Sequence, residues 1–237
     1  MQAVKSFFRS FSKGELLLWG ASVLLIVLSF CVFDRENWLT LFASLVGATS
    51  LIFCAKGNPA GQALMLLFSA LYGVISWTFS YYGEMITYLG MTAPMALAAL
   101  ISWLRHPFKG NRAEVRVNRL RAGEAAFALL LTAAVTAAFY FILKALDTAN
   151  LIPSTVSVAT SFLAVYLTFR RSPYYALAYA ANDVVLVVLW TLAAIEDITY
   201  LSVIICFVMF LANDLYGFIN WRRMEKRQQE SDAEPAA

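Results

Sequence analysis

FVMFLANDLYGFINWRR, residues 207–223, begins as a segment suited to oil and ends in Arg222 and Arg223, which belong in water. Between them lie Asn213, Asp214, Tyr216, Asn220 and Trp221. An Asn-Asp pair in a lipid-crossing helix is costly, so it marks either a helix–helix contact or a functional group. The rest of the chain shows that the segment does cross lipid. Its 237 residues are 61% hydrophobic and only 14% charged, with a mean hydropathy of +0.68. A soluble domain carries about 25% charged residues. The apolar residues come in long uncharged runs, so the expected fold class is all-α, a polytopic membrane helix bundle.

Eight runs are long enough to cross about 30 Å of hydrocarbon. They cover residues 16–33, 38–55, 63–82, 85–104, 125–146, 152–169, 174–194 and 198–221. The first follows Lys5, Arg9 and Lys13, as a signal peptide would, but it exceeds the ~7–15 residues of a signal core. It is followed by Asp34-Arg35-Glu36-Asn37 rather than by small residues, so it is expected to be a retained helix.

The cations orient the bundle. With the N-terminus in the cytoplasm, 16 of the 18 Lys and Arg fall on inner segments, six of them in the loop after span 4. Only Arg35 and Lys144 lie at outer helix ends, where long side chains can snorkel. The outer turns carry Asp34, Glu36, Glu84, Asp147, Glu196 and Asp197. Both termini are therefore expected in the cytoplasm. The basic loop 105–124 reads as a topogenic segment near anionic lipid, not as a nucleic-acid site. The polar tail 223–237 is expected to be disordered.

A repeat emerges from the outer turns. WTFSYYGEMITYL (77–89) and WTLAAIEDITYL (190–201) share their ends and differ by one residue in length. SWLRH (102–106) and NWRRM (220–224) close the following helices in the same way. Because the matching turns face one side, the repeat is parallel. Residues 38–104 and 151–222 are the two three-helix copies, 105–150 the basic loop and linker helix, 1–37 an added helix and 223–237 the tail. Parallel repeats bury a site at their interface near the midplane and rock to expose it, which points to a transporter.

Polar residues inside the spans mark where that site would lie. Tyr179, Asp183 and Trp190 share a helix face, with Asn182 beside it. Asp183 stands about 13 Å along its helix, near the bilayer centre. Asn213, Tyr216 and Asn220 share a face of the last span, and Ala-Asn-Asp occurs at both 181–183 and 212–214. In the first copy, Ser69, Tyr72, Ser76 and Ser80 form a mildly polar stripe beside Trp77, Tyr81 and Glu84. A carboxylate in hydrocarbon costs roughly 2.5–3.5 kcal/mol, against about 0.6 kcal/mol for an average interhelical polar contact. Asp183 is therefore expected to line a substrate path, with Asp214 nearer the cytoplasmic exit. Trp77 and Trp190 fit interface anchors as well as ring-binding roles.

Cys31, Cys54 and Cys206 read as small apolar residues, and His106 is the sole histidine, so neither a disulfide framework nor a metal site is expected. No Walker A, GxSxG, HExxH or Rossmann pattern occurs; neither a cofactor nor an enzymatic activity is expected.

The stretches ANDLYGFINW (212–221) and YALAYAANDVVLVVLW (175–190) resemble the PnuC-type vitamin transporters, which carry nicotinamide riboside. Arg170-Arg171, the WT–ITYL turns and the three-one-three layout agree. The resemblance covers about 155–222 well and the first copy more weakly; Ala176 and Tyr179 stand where that family often has tryptophans. It implies the fold of the SWEET sugar transporters, a homotrimer, and facilitated diffusion with trapping by phosphorylation inside the cell. Nicotinamide riboside carries a pyridinium charge, which Trp190 and Tyr216 can meet by cation–π contact. Asn182, Asn213 and Asn220 can bond the ribose or carboxamide, and Asp183 or Asp214 can neutralise the ring. Tyr179, Tyr72, Trp77 and Ser76 complete the expected site. The alternatives are another vitamin such as thiamine or riboflavin, a sugar, or a non-transporting sensor subunit. A neutral sugar would not call for a carboxylate.

Overall fold

The computed structural model describes residues 11–78, 82–148 and 150–233. Among these, eight helical rods fall on the eight expected spans. They are α1 (Lys13–Phe33), α2 (Trp38–Ala55), α3 (Ala60–Thr78), α4, α5 (Ala122–Ala145), α6 (Leu151–Phe169), α7 (Tyr175–Ala194) and α8 (Leu201–Ala233). The rod α4 has three parts: Tyr82–Ile86, a π-helical turn at Thr87–Thr92, and Ala93–Arg105. A 3-10 turn at Ile198–Tyr200 leads into α8. Hydropathy locates these rods because backbone amides in hydrocarbon must bond within their own helix. Of the polar stripe expected on α3, Ser80 and the neighbouring Tyr81 lie outside the described residues.

Local chemistry sets the ends. Ser12 and Glu15 form a capping box: the Glu15 amide donates to Ser12 Oγ at 3.2 Å, and the Ser12 amide to Glu15 Oε2 at 2.7 Å. Gly57 turns out of α2 at φ +66°, and a Cβ there would stand 2.9 Å from Met224 Cε. Glycine thus permits both the left-handed turn and the close passage of α8.

The helices form two triplets. α2 packs on α3 and α3 on α4; α6 packs on α7 and α7 on α8. The triplets meet twice, α4 against α6 and α8 against α2. Two glycine-permitted contacts of α8 hold the second meeting, since a Cβ on Gly47 would stand 2.5 Å from Phe210 Cζ. α1 covers α8 and α2, α5 covers α6, and both leave most of their surface to lipid. Cys54 and Cys206 are buried as expected, whereas Cys31 faces out from α1.

At the basic end a hairpin is added and one expectation changes. In the loop after α4, β1 (Pro107–Phe108) and β2 (Asn111–Val115) form an antiparallel hairpin beside the otherwise helical fold. The segment after Trp221 is not a disordered tail, because α8 continues to Ala233. The hairpin explains this. Gln228 Nε2 donates to Glu114 Oε1 and to Val115 O, and its Oε1 accepts from the Val117 amide. Arg119 pairs with Glu225, Arg227 with Glu114 and Arg116 with Asp232. A polar helix that composition alone would leave unfolded gains its stability from this docking. Residues 234–237 of the expected tail lie outside the described residues.

Candidate functional site

Asp183 on α7 and Asp214 on α8 are each 4% exposed, and their carboxyl groups lie within hydrogen-bonding reach of one another. They line a cavity of about 50 Å³ where the two triplets meet, together with Tyr179, Asn182, Tyr88 and Phe68. Oδ2 of Asp183 accepts no hydrogen bond among the described residues. Two unit charges 4 Å apart repel by about 4 kcal/mol at an effective dielectric of about 20. The pair therefore calls for a positive charge between its members, either a shared proton or a bound cation.

Asn182 is held for a purpose that its own helix does not reveal. Its Oδ1 accepts from the hydroxyls of Ser157, Thr160 and Ser161 on α6, at 3.1, 2.9 and 3.0 Å. With the oxygen so occupied, the amide orientation is fixed and its N–H donors are directed away from α6.

The aromatic rings bracket this cavity on both sides. Toward the acidic turns, Tyr72 and Tyr88 have centroids 4.7 Å apart, and Phe68 lies 5.4 Å from Tyr72 and 6.0 Å from Tyr88. Beyond Tyr72 lies a second cavity, of about 490 Å³, which Ser76 and Trp190 also line. Toward the basic end, Tyr179 meets Tyr175, which packs on Trp103 and Trp221. The two indoles are fully buried, 5.3 Å apart, and bonded alike. Trp103 Nε1 donates to Thr168 O at 2.9 Å and Trp221 Nε1 to Cys54 O at 2.8 Å. The preceding residues repeat the pattern, Ser102 Oγ donating to Phe169 O and Asn220 Nδ2 to Ala55 O.

The expected site residues thus separate into groups. Asp183, Asp214, Asn182 and Tyr179 come together at the central cavity, and Tyr72, Ser76 and Trp190 at the larger one. The others do not join them. Asn213 Nδ2 donates to Ser22 Oγ of α1 at 2.9 Å and to Met209 O at 2.7 Å. Tyr216 donates to Glu15 Oε1 at 3.2 Å, and Asn220 is committed to Ala55. Trp77 is 62% exposed on the outside of the bundle, as an interface anchor would be.

Sequence reasoning missed Phe68, Tyr88 and Thr92 as cavity residues. Tyr88 belongs to the first ITYL, read only as a turn marker; the π-helical turn carries it inward, and such turns are frequent at functional sites.

No cluster of metal-ligating side chains occurs among the described residues. The model of the nicotinamide mononucleotide transporter family matches residues 37–223. A relative from Neisseria mucosa, a nicotinamide riboside transporter PnuC, is 30% identical over 201 residues, covering 83% of this chain and 76% of its own length. The Haemophilus influenzae protein of the same name is 20% identical, with 89% and 91% covered. The crystal structure of the vitamin B3 transporter PnuC superimposes with a TM-score of 0.80 at 25% identity, over 92% of this chain and 94% of that one. Eight apolar helices around a buried polar cavity, on a chain matched over this length, are those of a multi-pass protein of the bacterial inner membrane, and the chain belongs to the nicotinamide mononucleotide transporter family as a transporter, not an enzyme.

Proposed function

We propose that the chain imports nicotinamide riboside, and that the carboxyl pair Asp183–Asp214 receives its pyridinium. The pair is the observation that carries this reading. The central cavity has two carboxyls and no Lys or Arg among its described lining residues. A mononucleotide would bring a phosphate of about −1.5 to −2 charge to that pair, whereas the riboside brings a net positive ring. The names of the relatives agree with the riboside. Asn182 N–H and the Tyr179 and Tyr88 rings supply the remaining polar and stacking contacts.

The basic end faces the cytoplasm, since it gathers the cations of the chain. The matching Trp103 and Trp221 bonds, and the paired meetings of α4 with α6 and α8 with α2, support a parallel three-one-three repeat of SWEET type. Rocking of the triplets about the central cavity would then give alternating access. Transport runs down the gradient, with phosphorylation of the riboside in the cytoplasm keeping it inside. The assembly is a homotrimer, as the resemblance implies.

Purified protein in liposomes tests this. Labelled nicotinamide riboside should enter without ATP or an imposed pH gradient, and Asp183→Asn or Asp214→Asn should lower uptake at least about 100-fold while the protein stays monodisperse, on the scale of lost charge-assisted contacts. Preference for the mononucleotide would overturn the cargo; uptake that follows a pH gradient would overturn facilitated diffusion. Mass determination in nanodiscs decides the trimer.

A further inference from the structure

The cavity on the acidic side of Tyr72 is not part of the central site. At about 490 Å³ it falls within the range of about 300–1,000 Å³ typical of small-molecule sites. Four carboxylates line it, Asp34, Glu36, Glu84 and Asp197, against one cation, Arg35. Arg35 is turned back on its own helix, donating to Cys31 O at 2.6 Å. Asp34 spends Oδ1 on the Asn37 amide and side chain. Glu36, Glu84 and Asp197 form no ion pair among the described residues. An acidic rim alone would be only the outer half of the charge pattern that orients a membrane protein.

A second observation points to an occupant. Ser76 is 2% exposed, lines this cavity, and its Oγ has no hydrogen-bond partner among the described residues. An unpaired buried hydroxyl carries a desolvation cost that a polar ligand group or a water would remove. Trp190 lines the same wall, its ring 5.3 Å from that of Tyr200. A charged rim, an indole face and a free hydroxyl are what an aromatic cation with a polar substituent would need.

We propose that this vestibule is a separate capture site for an organic aromatic monocation, in which Glu36, Glu84 and Asp197 hold the charge and Trp190 and Ser76 receive the ring and its polar substituent. It rests on the reading of the cargo as a pyridinium. The contact between Tyr72 and Tyr88 separates the captured cation from the Asp183–Asp214 pair, so loading proceeds in two stages. The first stage raises the local concentration of cation at the ring barrier; the second passes it inward. Negative clefts raise on-rates in this way, and the effect falls with salt.

The experiment compares wild type with the triple variant Glu36→Gln, Glu84→Gln, Asp197→Asn. Wild-type KM for nicotinamide riboside should rise about fivefold between about 10 and 150 mM salt, as the Debye length falls from about 30 to 8 Å. The triple variant should show the high KM at both, with uptake at saturating substrate falling less than about twofold, since steering acts on encounter. The uncharged dihydronicotinamide riboside should show no salt dependence in either protein. An unchanged KM in the triple variant, or an equal shift with the uncharged riboside, overturns the capture site. A second arm uses 1-methylnicotinamide, a permanent pyridinium without ribose, and neutral nicotinamide, in thermal-shift titrations of the purified protein. The cation should stabilise wild type most, and both Asp183→Asn, which keeps only the vestibule, and the triple variant, which keeps only the central pair, less; nicotinamide should stabilise none of them. Stabilisation abolished in Asp183→Asn and undiminished in the triple variant assigns the cation to the central site alone and overturns the proposal. If wild type takes up no riboside yet shows the expected 1-methylnicotinamide pattern, the cargo reading fails and the capture site stands.

Discussion

At the basic end of the bundle, Glu15, Glu114, Glu124, Glu225 and Asp232 each sit in an ion pair with Lys56, Arg227, Arg170, Arg119 and Arg116 respectively. Two buried indoles donate to the ends of the opposite triplet there. At the acidic end, three carboxylates form no ion pair among the described residues around an open space of about 490 Å³. One end is closed by bonds between the triplets, and the other presents charges that the proposed cation would satisfy. The difference assigns stability to one end and recognition to the other. Substitutions should therefore separate: at the basic end they should change unfolding, and at the acidic end they should change KM.

The largest effects are expected at the indoles. Trp103→Ala and Trp221→Ala should each destabilise by about 3–5 kcal/mol, as large-to-small changes in a packed core do. Because the two residues make matching bonds across the triplet interface, the losses should be similar, and Trp→Phe at either position should cost less. Thermal unfolding in detergent measures both. A loss confined to Trp221 would break the two-fold comparison and leave Trp103 as mere packing. Next comes Gln228→Ala, which removes three bonds between α8 and the hairpin and leaves the Val117 amide unpaired. Its cost should be about 2 kcal/mol, localised enough that trypsin cuts at Arg112 or Arg116 before the bundle unfolds. Cutting at wild-type rate would mean that the hairpin holds without α8.

The positions of the spans were legible in the sequence, and the reason is physical. Span positions follow from hydropathy, because an unbonded amide in lipid is too costly to permit anything but a helix. The side-chain register was less legible. WT at 77–78 matches WT at 190–191 by letter, yet Trp77 is exposed and Trp190 is 7% exposed at the vestibule. Counting instead from Pro59 and Pro173, which follow the bonded Cys54 and Thr168 at equal spacing, Ser76 corresponds to Trp190. One residue turns a helical side chain by about 100°, enough to carry Trp77 outside. The same limit applies to Asn213: its polarity read as a ligand group, but Ser22, nearly two hundred residues earlier, binds it. The π-helical turn at Thr87–Thr92 and the docked part of α8 depend on tertiary partners, and no local pattern announces them.

The smallest expected effect tests the acidic end at a single carboxylate. Oδ1 of Asp197 accepts from the Thr199 amide at 2.9 Å and from its hydroxyl at 2.8 Å. These bonds, the backbone one first, hold its carboxyl below the usual carboxylate range. A depressed carboxyl contributes stability above its unfolded-state value, near 4, and loses it only as pH falls through the lower folded value. Asp197 therefore stays charged from pH 8 to pH 5, whatever its cavity neighbours Asp34, Glu36, Glu84 and Arg35 do. Asp197→Asn keeps an oxygen for the Thr199 cap and loses only the small contribution of an exposed charge, so the midpoint of thermal unfolding should fall only slightly. The KM for nicotinamide riboside should rise about twofold, on the scale of one surface charge, and by the same factor at pH 8 and pH 5. A ratio that collapsed at pH 5 would show Asp197 titrating there. A loss of thermal stability as large as that of Gln228→Ala would move it from recognition to structure, and the contrast between the two ends would no longer hold at this residue.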